Sequence, residues 1–111
     1  MENWKHITDI ATIDTIIEAS NSKPQILFKD SVTCGISAYA KSRLVDGNDL
    51  IKEGADFNYL DLLKHRDISN HMADVFKVHH QSPQIIVLKN EEVVYTTSHH
   101  SIQPGEIAKH L

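Results

Sequence analysis

The chain carries one cysteine, Cys34, in 111 residues. A single thiol cannot close an internal disulfide, so no covalent staple holds this fold, and such sparing use of cysteine fits a reducing compartment. Long apolar runs are also missing. The longest clean aliphatic stretch is Ile85 to Leu88, far short of the about 20 residues a membrane-spanning helix needs. Met1 to Lys5 lacks the apolar centre of a secretory leader. Nor is there an excess of positive charge: 11 Lys and Arg stand against 15 Asp and Glu, for a net charge of -4. With no basic stripe either, nucleic acid is not an expected partner. Glycine and proline number only 4 and 3, and no repeat, linker or low-complexity segment divides the chain. A hydrophobic content of 41% with 23% charged residues then describes one soluble globular domain over residues 1–111 with a single ordinary core. Its expected location is the cytoplasm.

The pattern along the chain alternates strands and helices. Trp4 to Ile7 reads as a short edge strand, with Trp4 as a packing residue. Thr8 or Asp9 caps a helix whose core stripe is Ile10, Ile13, Ile16 and Ile17. Ser20 to Pro24 ends it with turn chemistry. Gln25 to Lys29 is the first convincing strand. Ile36, Ala40 and Leu44 mark one face of a second helix, which Asp46-Gly47 stops. Lys41 and Arg43 fall on its solvated face. Asn48 to Gly54 is ambiguous, with a further helical turn at Leu50 and Ile51. Asp56 to Leu63 reads as a strand parallel to the first, through a right-handed crossover. Asp67 or Ser69 caps a third helix with Met72, Val75 and Phe76 as its buried stripe, and Arg66 pairs with Asp67. Ile85 to Leu88 and Glu92 to Thr97 form an antiparallel hairpin across Lys89 to Glu91. Ile102, Ile107 and Leu111 belong to a closing helix, opened by Pro104. The fold class is α/β: a mixed sheet of four to five strands with helices on both faces.

Cys34 lies between the first convincing strand and the second helix, at that helix's first turn. Free N–H groups and the positive end of the helix dipole favour thiolate over thiol there. A reactive thiol and a small buried hydrophobe both fit such a position. Ser37 is three residues on, either reaching the sulfur or capping the helix. Gly35 allows close approach of backbone and ligand or serves the turn, and Thr33 shapes the same turn. The 8 histidines include the adjacent pairs His79-His80 and His99-His100. Neighbours in extended chain point to opposite faces, so each pair offers one ligand at most. Solvated loop histidines are the better reading, and no metal site is expected.

These residues carry a resemblance. A cysteine turn after the first core strand, and a proline opening the hairpin strand, resemble the thioredoxin fold. Within it, Ser31-Val32-Thr33-Cys34-Gly35-Ile36-Ser37 and Ser82-Pro83-Gln84-Ile85-Ile86 are similar to segments of the monothiol bacilliredoxins of the bacillithiol system. Arg66-Asp67-Ile68-Ser69 and Ser98-His99-His100-Ser101-Ile102 look similar as well. The likeness runs from Ile7 to Leu111. One departure is Gly35, where many members have proline. Cys34-Gly35-Ile36-Ser37 thereby also looks like the Cys-Gly-Phe-Ser turn of monothiol glutaredoxins, which bind iron–sulfur clusters with glutathione. Those proteins usually carry a Gly-Gly pair near the closing helix. Gly35, Gly47, Gly54 and Gly105 include no such pair, so the bacilliredoxin reading is preferred.

The resemblance implies a thioredoxin-like domain that removes bacillithiol from S-bacillithiolated client proteins through Cys34, with bacillithiol as co-substrate and no tightly bound cofactor. The expected state is a monomer. The implied catalytic residue is Cys34. The implied substrate-binding residues are Thr33, Gly35, Ile36, Ser37, Ser82, Pro83, His99 and His100. Pro83 is expected to be cis and to face the cysteine, with the Ser82 backbone presented to the ligand as an added strand would be. Lys29 or a protonated histidine is expected to attract bacillithiol's carboxylates. An iron–sulfur carrier and a non-catalytic thioredoxin-like binding module are the competing classes.

Overall fold

The structure is a computed structural model that describes residues 4–51 and 53–111. Met1 to Asn3, part of the stretch read for a leader, and Lys52, within the ambiguous Asn48 to Gly54 stretch, lie outside the described residues. The order is β1 (Lys5–His6), α1 (Ala11–Ala19), β2 (Gln25–Asp30), α2 (Gly35–Asp46), β3 (Asp56–Asp61), α3 (Arg66–Phe76), β4 (Gln84–Lys89), β5 (Glu92–Ser98) and α4 (Pro104–Ala108). Single helical turns cover Asn48–Leu50 and His99–Ser101.

One five-stranded sheet runs β1-β3-β2-β4-β5. β1, β3 and β2 are mutually parallel, because each is joined to the next by a crossover carrying a helix. β4 returns antiparallel to β2, and β5 antiparallel to β4. The β4–β5 link is a two-residue turn with Asn90 at φ 53 and Glu91 at φ 66, the positive pair that matches strand twist in a tight hairpin. Ser20, at the end of α1, steadies that turn: its carbonyl accepts from Asn90 N–H at 2.9 Å and its hydroxyl from Glu91 N–H at 2.8 Å.

Strand alternation splits the interior into two layers. Ile26 and Phe28 of β2 face Ala40 and Leu44 of α2 and Ile107 of α4, with Trp4 stacked on Phe57 at 4.3 Å. Leu27 faces Ile13 and Ile16 of α1 and Ile68 and Met72 of α3. Gly47, after α2, allows the approach of α4: a Cβ there would stand 2.5 Å from Pro104 Cγ.

The helix positions agree with the sequence pattern, with local corrections. Asp9 caps α1 from one residue outside it, its carboxylate accepting from Thr12 N–H at 2.9 Å. Ile10, expected in the core, is 41% exposed because it precedes the first helical turn. Val75 is exposed too, and Ile68 takes its place in the buried stripe of α3. Neither Asp67 nor Ser69 caps α3. Its boundary residue is His65, without a side-chain cap, and Asp67 instead sits in the first turn, where the helix dipole favours an acid. No Arg66–Asp67 pair forms among the described residues. Ile102 and Leu111 flank α4 rather than belong to it. Lys41 and Arg43 are half-buried rather than solvated, since each lies over a tyrosine ring.

Candidate functional site

β2 ends at Asp30 and the chain turns through Ser31, Val32 and Thr33 to Cys34. The Cys34 N–H closes this turn onto the Ser31 carbonyl at 2.9 Å. Cys34 is the extended boundary residue of α2, at φ -98 and ψ 127, and its carbonyl accepts the first helical bond, from Ala38 N–H at 3.0 Å. The sulfur therefore faces the unpaired N–H groups at the helix start. Hydrogen bonds from the backbone N–H of Ser37, and next from that of Ile36, hold the thiol below its ordinary value near 9.0, and the Ser37 hydroxyl adds to them. That hydroxyl has two uses: it is fully buried, and it also accepts from Ser31 N–H at 3.2 Å. Cys34 is partly exposed, Val32 and Ile36 two residues to either side of it are exposed, and so is Tyr39 further along α2. Thr33 and Gly35 are exposed as well.

Behind the turn lies a buried acid that the sequence reading missed. Asp30 is 2% exposed. The Tyr59 hydroxyl donates to its Oδ2, while Oδ1 is buried without a partner. Burial raises the Asp30 carboxyl, against the opposing pull of the Tyr59 hydrogen bond and the Lys41 charge. Burial and then Asp30 push the Tyr59 phenol well above its usual range. The Lys41 ammonium lies 4.9 Å from the Tyr59 ring centre. The Asp30 charge opposes ionisation of Cys34. Alternation along β2 was the available signal, since Asp30 shares its face with Ile26 and Phe28.

The Ser82–Pro83 peptide is cis, and Pro83 is buried. The pairing of Lys29 with Gln84 sets Pro83 beside the C-terminal end of β2, from which the cysteine turn leaves. The Pro83 carbonyl accepts from His99 N–H at 3.0 Å, and the Ser82 hydroxyl is buried without a partner. His99 opens the turn after β5 with φ 55. His100 meets Tyr39 of α2 edge-on, ring centres 6.3 Å apart, and the Arg43 guanidinium lies 5.3 Å from the same tyrosine ring. Thr33 through Ser37 thus form one cluster, and Ser82-Pro83 and the His99–His100 turn share the end of the sheet from which it departs. Tyr39, not singled out from the sequence, is a further neighbour of His100, and Arg43, expected only on the solvated face of α2, is a neighbour of Tyr39.

Lys29 has no surface at this end of the sheet. It is fully buried on the α1 and α3 side of β2, because it follows Leu27 in the alternation. The expectation that it attracts carboxylates is therefore withdrawn. Among the described residues, no three His, Cys, Asp or Glu side chains converge as a metal set, and no helix is long and apolar enough to cross a membrane.

Comparison with known proteins agrees with this geometry. The family model described as monothiol bacilliredoxin BrxC matches residues 5–107. A solved structure described as a candidate oxidoreductase with a thioredoxin fold is 29% identical, with a TM-score of 0.84, over 97% of this chain and 93% of that one. A redox protein from Chlamydomonas reinhardtii is 18% identical with a TM-score of 0.77, over 96% of this chain and 34% of that one. Thioredoxin from Fasciola hepatica is 13% identical with a TM-score of 0.71, over 95% and 93%. The last two are alike in fold alone. The fold is that of thioredoxin.

Proposed function

The chain belongs to the monothiol bacilliredoxin family, and from that premise we propose that it removes bacillithiol from S-bacillithiolated proteins in the cytoplasm, acting as a monomer through Cys34. The observation that carries the reading is the placement of a lone, partly exposed sulfur at the start of α2, under the N–H groups of Ser37 and Ile36.

The Cys34 thiolate attacks the bacillithiol sulfur of the client's mixed disulfide. The new bond joins Cys34 to bacillithiol, and the old one breaks toward the client, whose sulfur leaves as a thiolate and takes a proton from water. A second bacillithiol, as thiolate, then attacks the cap on Cys34. Bacillithiol disulfide forms, and the Cys34 thiolate is restored. Each step exchanges one disulfide for another, with rates set by thiolate fraction and leaving-group pKa. A chain with one cysteine has no internal resolving thiol, which favours an external one.

In this reading Thr33, Gly35, Ile36 and Ser37 shape the sulfur's surroundings. Ser82 offers its backbone beside Pro83, and His99 and His100, the latter packed against Tyr39, flank the ligand. The exposed Val32 and Ile36, two residues to either side of Cys34, and Tyr39 further along α2 offer clients apolar surface.

Incubation with a bacillithiol-capped client tests the proposal. Intact mass should show one cap on Cys34 and a freed client thiol, with no transfer in Cys34→Ala. Transfer that persists in Cys34→Ala, or none in the unaltered protein, contradicts it.

A further inference from the structure

Lys29 has no exposed surface, yet nothing in the exchange chemistry uses it. Its ammonium lies 2.8 Å from Nδ1 of His80, and the Ser69 hydroxyl of α3 is 3.4 Å from the same nitrogen. None of the ion pairs among the described residues includes Lys29. A buried ammonium with only a neutral acceptor is a costly arrangement. For that nitrogen to accept, His80 must be neutral, with its proton on Nε2. The surrounding charges agree: burial, then Lys29, His79 of the same loop and Arg66 of α3, all push His80 below its ordinary value. Burial brings Lys29 down to about 8, which leaves it the charged partner at neutral pH.

His80 belongs to the loop between α3 and β4 that ends in Ser82-Pro83. Other ties reach this loop from the hairpin: Gln84 Nε2 donates to the His79 carbonyl at 3.0 Å, and the Ser98 hydroxyl donates to Gln81 Oε1. The tie from Lys29 differs in origin. It comes from the strand that, five residues later, delivers Cys34. One strand thereby sets both halves of the site, the sulfur through its C-terminal end and the facing loop through a side chain.

The geometry points to Lys29 as a positioning residue for thiol exchange: its amine, bonded to His80, fixes the loop that carries Ser82 and Pro83 relative to Cys34. The inference rests on the reading of Ser82-Pro83 as the edge that meets the thiol partner.

Lys29→Met keeps the aliphatic stem and removes the donor. The second-order rate of cap transfer from a bacillithiol-capped client should fall by about tenfold, as for a reacting pair slightly misplaced. Alkylation of Cys34 by iodoacetamide, which needs only the thiolate, should stay within about twofold. A folded Lys29→Met with unchanged cap transfer overturns the proposal, and so does an equal loss in both reactions. Should Lys29→Met fail to fold, His80→Gln and His80→Leu replace it. Glutamine keeps an acceptor and should stay near the unaltered rate, whereas leucine should lose about tenfold; equal rates in the two overturn the proposal. Imidazole nitrogen NMR reads the tie without any client. His80 should show the Nε2–H form and titrate below its ordinary value, and should move up in Lys29→Met. A His80 that titrates normally in the unaltered protein overturns the tie. A low His80 titration in a protein that transfers no cap contradicts the bacillithiol reading alone.

Discussion

The buried hydroxyl of Ser37 accepts from the backbone N–H of Ser31 at 3.2 Å, so the first turn of α2 locks the chain segment that precedes Cys34. The same hydroxyl keeps its own proton for the sulfur, and adds to the pull of the helix N–H groups on the thiol. A residue expected either to cap the helix or to reach the sulfur therefore ties down the turn and assists the thiolate at once.

Ser37→Ala separates these duties. Ser31 loses its acceptor, and folding stability should fall by about 1–2 kcal/mol, measurable by urea unfolding. The midpoint of Cys34 alkylation against pH should rise, yet stay below the ordinary thiol value, because the N–H groups of Ser37 and Ile36 are larger causes than the hydroxyl.

Gly35, where the resemblance expects proline, meets no steric need for glycine in the structure. A Cβ at Gly35 meets nothing within 4 Å. The residue is the first of α2, and Cys34 before it is extended, the combination that suits proline at a helix start. The N–H groups that act on the sulfur belong to Ser37 and Ile36, so the loss of the Gly35 N–H removes neither. Gly35→Pro should raise stability by about 0.4–1 kcal/mol through the unfolded chain and leave the alkylation midpoint in place. Unfolding curves and alkylation rates on the same samples check both.

Asp30→Asn removes the one charge behind the turn that opposes ionisation of the thiol, so the Cys34 midpoint should fall. The sign for stability follows from the raised Asp30 carboxyl. Its folded value lies above 3.8, so the folded state holds a proton that the unfolded state has already released. The wild-type protein loses stability as pH climbs from 3.8 through that folded value, and bears the full penalty above it. Asparagine carries no such penalty and still offers Tyr59 an oxygen. Asp30→Asn should therefore be the more stable protein at neutral pH and lose the advantage in acid, as unfolding midpoints across pH would reveal.

Much of this arrangement was legible in the sequence. Hydrophobic period and turn residues placed every helix and strand within a few positions, since Ile13, Ile16, Ala40, Leu44 and Met72 face the interior as their spacing demands. Cys34 and Ser37 were legible because a helix start has a local signature. The polar interior was legible only in part: alternation puts Asp30 on the face of Ile26 and Phe28, but names no partner for it or for Lys29. β2 is buried along its whole length, Lys29 and Asp30 included. A charged residue at a strand end reads as solvated unless its partners are known, and Tyr59 and His80 lie 29 and 51 residues away from theirs. Ile10 failed for the opposite reason: its apolar period was right, but the helix began one residue later. His100 against Tyr39 is likewise a contact between distant elements, set by the sheet order rather than by any local pattern.

The pH dependence of Cys34 alkylation by an uncharged reagent tests the central claim most directly. The account predicts a midpoint clearly below the ordinary thiol value near 9.0, with reaction confined to one site. A midpoint at or above that value would contradict it, for the start of α2 would then hold a thiol no readier to exchange than any other.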